Sequence, residues 1–431
     1  MKQTQLLQFD GRGLLHCRQV LADYLPGLDP GLTALGERGA LLAGPTLTAL
    51  ERAYGAAAAA RVIKAAGIVR IQPLTDGEAL ARLQARDVSV LPVRPSAGVP
   101  LDWHLDEVNL RSAWQEHWGG PERIDWGAVK VGQIDTGYTR HPVFGFGGTA
   151  WLDVAAARTF FPVRPDGGDP GPGQGSDPLA VLTDGHGTRI GSVICGCDPA
   201  APGGTYLGVA PKVPLVPVRI ANTVLIAHAQ QELAKALRYL VNEARVSVIN
   251  LSMGFWPRTQ MGVLDKAIDE AYLAGVIFVC AAGQFLQPVI SPAHGRRTIA
   301  AAGSTVGSVP WGQSAYGSAV DWVAPAAHIY RAEMRQPSTP AYADRGDGTS
   351  YATAITSGAA ALWLARHGNA LDAAYPQAWQ RVEAFKTVAK ATARKMPNQQ
   401  PGAFGAGILD IGAILNAPLP SSTLLRQEPS A

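Results

Sequence analysis

Between Val129 and Ala281, short apolar runs alternate with stretches of helical period, and that alternation leaves few architectures open. Val129 to Ile134, Val213 to Ile220, Val246 to Leu251 and Val276 to Ala281 are each almost continuously apolar. A strand with one wet face would alternate apolar and polar residues, so these runs predict parallel strands buried on both faces. Ile226, Ala229, Leu233, Leu237 and Leu240 line one face of a helix that Thr223 can cap, and Val263 to Ala274 predicts the next helix. The expectation is an α/β fold in three layers, a mostly parallel central sheet flanked by helices. Function in such sheets gathers at the carboxyl ends of the strands, where Asp135 and Gln284 fall.

With 431 residues, 47% of them hydrophobic, the chain can bury one large core and a smaller one. Residues 1–98 have a different texture: an Ala-rich helical stretch near Thr46 to Ala66, an apolar run Ile68 to Ile71, an amphipathic helix seeded at Asp76 with Leu80 and Leu83, and a run Val88 to Val93. Strand, helix, strand predicts a small N-terminal α/β domain. The Pro-rich Val93 to Pro100 reads as a linker. No period is legible from Arg158 to Leu182, and Pro165 to Gly173 marks a long surface loop there. Residues 99–417 form the main domain, and the Pro/Ser tail 418–431 is expected to be disordered.

Charged residues are only 16% and the formal net charge is +3, with no dense Lys/Arg block, so no nucleic-acid partner is expected. No run approaches the roughly 18 apolar residues of a membrane span. The first ten residues lack the apolar core of a secretory signal, so the expectation is a cytoplasmic protein, secreted only with a leader outside this sequence. Cys17, Cys195, Cys197 and Cys280 have no zinc-like spacing and read as reduced, packed thiols.

Three distant segments set one reactive side chain among small residues: Asp135-Thr136-Gly137, His186 between Gly185 and Gly187, and Ser350 after Gly348-Thr349. A serine hydroxyl needs a base, and the base needs a carboxylate that fixes its tautomer. Asp-Thr-Gly is also an aspartic-peptidase motif, but that chemistry needs a second copy and none is present. The chain order Asp, His, Ser and the flanking residues resemble the subtilisin-like serine peptidases (subtilases), over some 310 residues from Asp102.

The resemblance implies a subtilisin-like fold and a serine endopeptidase that hydrolyses protein or peptide substrates through an acyl-enzyme. Ser350 would be the nucleophile, His186 the general base and acid, and Asp135 its orienting carboxylate. Gln284, after Cys280 to Gly283, stands where the family usually has an asparagine that donates to the oxyanion. Loss of that donor in a family member costs about 10²–10³ in turnover. The extra methylene would displace the amide by roughly 1.5 Å, against a tolerance of about 0.5 Å.

Ser252, Met253 and Gly254 resemble the segment that pairs with substrate backbone, with Ala282 and Gly283 as the facing wall of the pocket for the residue before the cut. Residues 1–98 resemble, in pattern only, a propeptide that inhibits its own catalytic domain. The interval Cys197 to Thr205 holds one carboxylate and cannot supply the roughly six oxygens of calcium. No calcium is expected there, and no cofactor. Two rival functions remain: a catalytically impaired peptide-binding homologue, and an acyl-transferring peptide ligase or cyclase.

Overall fold

The computed structural model describes strands Thr4–Phe9 (β1), Leu32–Ala34 (β2), Gly39–Leu42 (β3) and Ile68–Leu74 (β4), the single residue Ile63, and residues 99 to 430 apart from 162–174, 178, 180–184, 225, 227–228, 256–259, 285–287, 336–338, 398 and 401. The chain divides into two compact units, one mainly Met1–Arg94, the other Pro95–Leu179 with Asp184–Ala431. In the first, β1 to β4 form an antiparallel sheet ordered β2-β3-β1-β4. The run Ile68 to Ile71 lies in β4. Of the helix expected near Thr46 to Ala66 only Ile63 is described, and it is helical; the helix expected from Asp76 and the run Val88 to Val93 lie outside the described residues.

In the second unit, every apolar run has become an interior strand: Val131–Asp135 (β5), Leu215–Arg219 (β7), Val248–Leu251 (β8) and Ile277–Ala281 (β9). With Arg158–Thr159 (β6), Ile299–Thr305 (β10), Val309–Pro310 (β11) and Trp322–Pro325 (β12) they make an eight-stranded sheet. Its order is β11-β10-β9-β8-β5-β7-β6, with β12 also paired to β10; only β10–β11 is antiparallel. Successive residues of a strand face opposite sides. Ile277 and Val279 accordingly enter one apolar cluster while Phe278 and Cys280 enter another.

Helices His186–Cys195 (α3) and Thr349–His367 (α6) contribute Ile190, Val193, Ile355 and Leu362 to the first cluster. Helices Gln230–Asn242 (α4) and Gly262–Leu273 (α5) contribute Leu233, Leu237, Leu264 and Ile268 to the second. Two shorter helices, Trp103–Glu107 (α1) and Leu110–Trp118 (α2), precede the sheet. Each large aliphatic side chain buried this way stabilises by about 1.5–3 kcal/mol. A hairpin, Ile329–Arg335 (β13) with Thr339–Gly346 (β14), leads into α6 and so delivers Ser350.

Arg158–Thr159 is a strand paired to β7, too short to show any period. Two expectations fail. Thr223 is not the cap of α4, which starts at Gln230 behind Ala229, because Ile226 is held outside the helix by its amide bond to Gly254 O at 3.0 Å. The tail, expected to be disordered, is held in place over residues 418–430: Arg297 donates to Glu428 O, Tyr375 Oη to Pro420 O, and Tyr272 Oη accepts from Glu428 N, while Leu425 is buried. Those bonds come from distant residues, which composition does not report.

Candidate active site

Asp135 ends β5 with its side chain 1% exposed. Oδ1 accepts from Thr136 N at 2.7 Å and meets His186 Nδ1 at 2.7 Å. A carboxylate facing Nδ1 keeps the proton on that nitrogen and leaves Nε2 as the basic atom of the ring. Asp135 Oδ2 is buried with no partner among the described residues.

His186 opens α3 behind Gly185, whose φ is 70°. The next residue must be glycine. A Cβ on Gly187 would lie 1.9 Å from Gly137 O, so the turns after Asp135 and at His186 touch main chain to main chain. Thr136 Oγ1 accepts from Gly187 N at 3.1 Å and donates to Asp177 Oδ2 at 2.7 Å. Gly185 N donates to the same oxygen at 2.9 Å, and Leu179 N to Asp177 Oδ1 at 2.9 Å. Asp177 thus ties the residue after Asp135 to the residue before His186. Sequence reading missed it, because it ends a Gly/Pro-rich stretch with no period of its own.

Ser350 is the second residue of α6, half-buried, after Gly348, whose amide is tied to Ala326 O at 2.7 Å. Its Oγ donates to Ser252 O at 3.1 Å, and Ser252 Oγ donates back to Ser350 O at 3.0 Å. Asn250 Nδ2 donates to Ser252 Oγ at 3.2 Å, and Ser357 Oγ donates to Asn250 Oδ1 at 3.1 Å. This buried polar chain fixes α6 against the end of β8. The structure therefore joins the three residues as two pairs, Asp135 with His186 and Ser350 with Ser252.

Gln284 follows β9, and its Oε1 accepts from Thr349 N at 3.1 Å. Thr349 N is a donor, so the oxygen end of the amide must face it. Nε2 is left without a partner among the described residues, beside the first turn of α6, whose amides lack intrahelical acceptors and favour negative charge.

Ser252 and Met253 are buried beyond β8, and Ala282 and Gly283 beyond β9. Gly254 is already engaged: its amide donates to Val224 O at 3.1 Å and its carbonyl accepts from Ile226 N at 3.0 Å. The edge expected to stand open to a substrate backbone is partly taken by the chain itself.

In the interval Cys197 to Thr205, Asp198 accepts from Ala200 N at 2.9 Å and from Tyr342 Oη. Cys195, Cys197 and Cys280 are buried free thiols, and burial raises their pKa, which makes them poor nucleophiles. Cys17 lies outside the described residues. Among the described residues no His/Cys/Asp/Glu group is arranged to hold a metal ion, and no helix is long and apolar enough to cross a membrane.

The sequence profile of the subtilase family matches residues 127–407. The chain is 32% identical over 183 residues to an extracellular serine proteinase of Thermus sp. (strain Rt41A), covering 42% of this chain and 41% of that one. It is 26% identical over 332 residues to an extracellular protease of Xanthomonas campestris pv. campestris, covering 72% of this chain and 54% of that one. This chain thus spans about half the length of those relatives. In fold, it is similar to a solved protease structure from Pseudoalteromonas arctica PAMC 21717, with a TM-score of 0.58 and 22% identity over 73% of this chain and 96% of that one.

Proposed function

The chain belongs to the subtilase family, and on that premise we propose that it is a serine endopeptidase acting through an acyl-enzyme at Ser350. The observation that carries the reading is the 2.7 Å pairing of buried Asp135 with His186 Nδ1. It supports a ring with the proton held on Nδ1 and Nε2 left as the base.

In this reading the Ser350 hydroxyl leaves Ser252 O for Nε2 when substrate binds; such catalytic bonds are often loose before then. Oγ attacks the peptide carbonyl carbon as its proton passes to Nε2. The oxyanion accepts from Gln284 Nε2 and Ser350 N. The imidazolium then protonates the leaving amine, and an acyl-serine ester remains. Water, deprotonated by Nε2, attacks the ester; the proton returns to Ser350 Oγ and the carboxylate product leaves.

One observation favours the rival, a peptide binder that does not cleave: the Ser350 hydroxyl rests on Ser252 rather than on His186. A fluorophosphonate separates the two. The peptidase reading expects it to label wild type and not Ser350→Ala, and expects hydrolysis of a long peptide by wild type alone. A folded wild type with neither label nor turnover would overturn it.

Residues 1–98 are read as a propeptide of this enzyme, which predicts truncation near Pro95 to Leu101 in wild type and none in Ser350→Ala by intact mass. The expectation of a cytoplasmic enzyme stands against the extracellular naming of both relatives, and cell fractionation decides between them.

A further inference from the structure

Gly254 and Gly283, on the two walls of the proposed pocket, share one neighbour. A Cβ on Gly254 would lie 2.3 Å from Ile290 Cδ1, and one on Gly283 would lie 2.8 Å from Ile290 Cγ2. Carbon atoms in contact sit about 3.5–4.0 Å apart, so the isoleucine lies directly against the Cα of both glycines. Its backbone is anchored to both walls as well. Ile290 N donates to Ala282 O at 3.0 Å, and the next residue, Ser291, exchanges two main-chain bonds with Phe255 at 2.9 and 3.1 Å. Ile290 is only partly buried, so it stands outside the sealed core.

Glycines on facing walls normally leave room for a guest. Here the room they leave is occupied by a residue of the chain, β-branched and therefore stiff at χ1. We propose that Ile290 fills the space a substrate side chain would enter, and restricts the residue on the acyl side of the cut to glycine, alanine or serine. The inference rests on the peptidase reading and narrows it to a substrate class. The selectivity is steric. A substrate bearing leucine or phenylalanine there must expel Ile290 or sit with its scissile carbonyl withdrawn from Ser350, Gln284 Nε2 and the base.

The test uses fluorogenic peptides identical except for Gly, Ala, Leu or Phe before the cut, with wild type, Ile290→Ala and Ile290→Val, each also labelled at Ser350 by a fluorophosphonate. A single methylene in an apolar pocket is worth about 10–200-fold in kcat/KM. Wild type is expected to favour Ala over Phe by about 100-fold or more. Ile290→Ala is expected to raise kcat/KM for Leu and Phe relative to the Ala substrate by at least about 10-fold, in protein that still labels at Ser350. Ile290→Val, which removes one methyl and guards against misfolding of the larger truncation, is expected to raise the Leu-to-Ala ratio several-fold. Equal cleavage after Ala and Phe by labelled wild type, or ratios unmoved by both substitutions, overturns the inference while leaving a working peptidase. Loss of both label and turnover in wild type brings down the peptidase reading and this inference with it.

Discussion

Gln284→Glu separates the two jobs assigned to this side chain. The acceptor bond to Thr349 N survives, because a carboxylate oxygen replaces Oε1 at the same reach. It is strengthened by charge and by the amino end of α6, an effect of about 0.3–1 kcal/mol. The donor is lost, because an oxygen replaces Nε2. That alone costs about 10²–10³ in turnover. The new charge also opposes the developing oxyanion. At a separation of ~4 Å and an effective dielectric of ~20 the repulsion is about 4 kcal/mol, or another ~10³. The expected outcome is kcat/KM down by at least about 10³, with a melting temperature equal to wild type or slightly higher, read from peptide hydrolysis and thermal unfolding on one preparation. If Gln284→Glu keeps more than a tenth of wild-type activity, the side chain does not donate to the oxyanion. If it melts well below wild type, the Thr349 bond is not what holds it.

Asp135→Asn offers His186 Nδ1 a donor or a weaker acceptor, which favours the wrong tautomer, and kcat is expected to fall by about 10⁴; residual activity within tenfold of wild type would refute the pairing. Asp177→Ala strips the acceptor from Thr136 Oγ1, Gly185 N and Leu179 N. At roughly 1 kcal/mol per bond, a stability loss of about 2–3 kcal/mol is expected in denaturant titration, with a fall in kcat measured well below the new midpoint; unchanged kcat in the folded variant would leave Asp177 merely structural. His104 is fully buried, and burial lowers its pKa from 6.5 to about 4. The unfolded chain therefore binds the extra proton between those values, so stability is full above pH 6.5 and falls by about 3 kcal/mol on the way down to pH 4. Unfolding free energy against pH should show a flatter acid limb for His104→Gln; an identical limb would exclude this histidine as its source.

Much of the main domain was legible because its determinants are local. Buried parallel strands announce themselves as apolar runs: β5, β7 and β8 start two residues inside the predicted runs and β9 one. The pairing of Asp135 with His186 was legible because the glycines around it are dictated by close main-chain approach, as at Gly187. What escaped was set by partners far along the chain. The start of α4 depends on a bond from Ile226 to Gly254, the order of the tail on Arg297, Tyr272 and Tyr375, and the importance of Asp177 on two turns it bridges. Ile290 was invisible for the same reason: nothing in its own segment says that two glycines lie against it.

The amide of Gly254 has a single hydrogen to give, and Val224 O holds it. Any extended peptide that seeks this amide competes with a tethered ligand that is always present. Measured affinity is then the intrinsic affinity scaled by the fraction of molecules in which Val224 has let go. Peptides too short to reach Gly254 escape that deduction, so lengthening a substrate on its amino side should strengthen binding less than the added contacts alone would give.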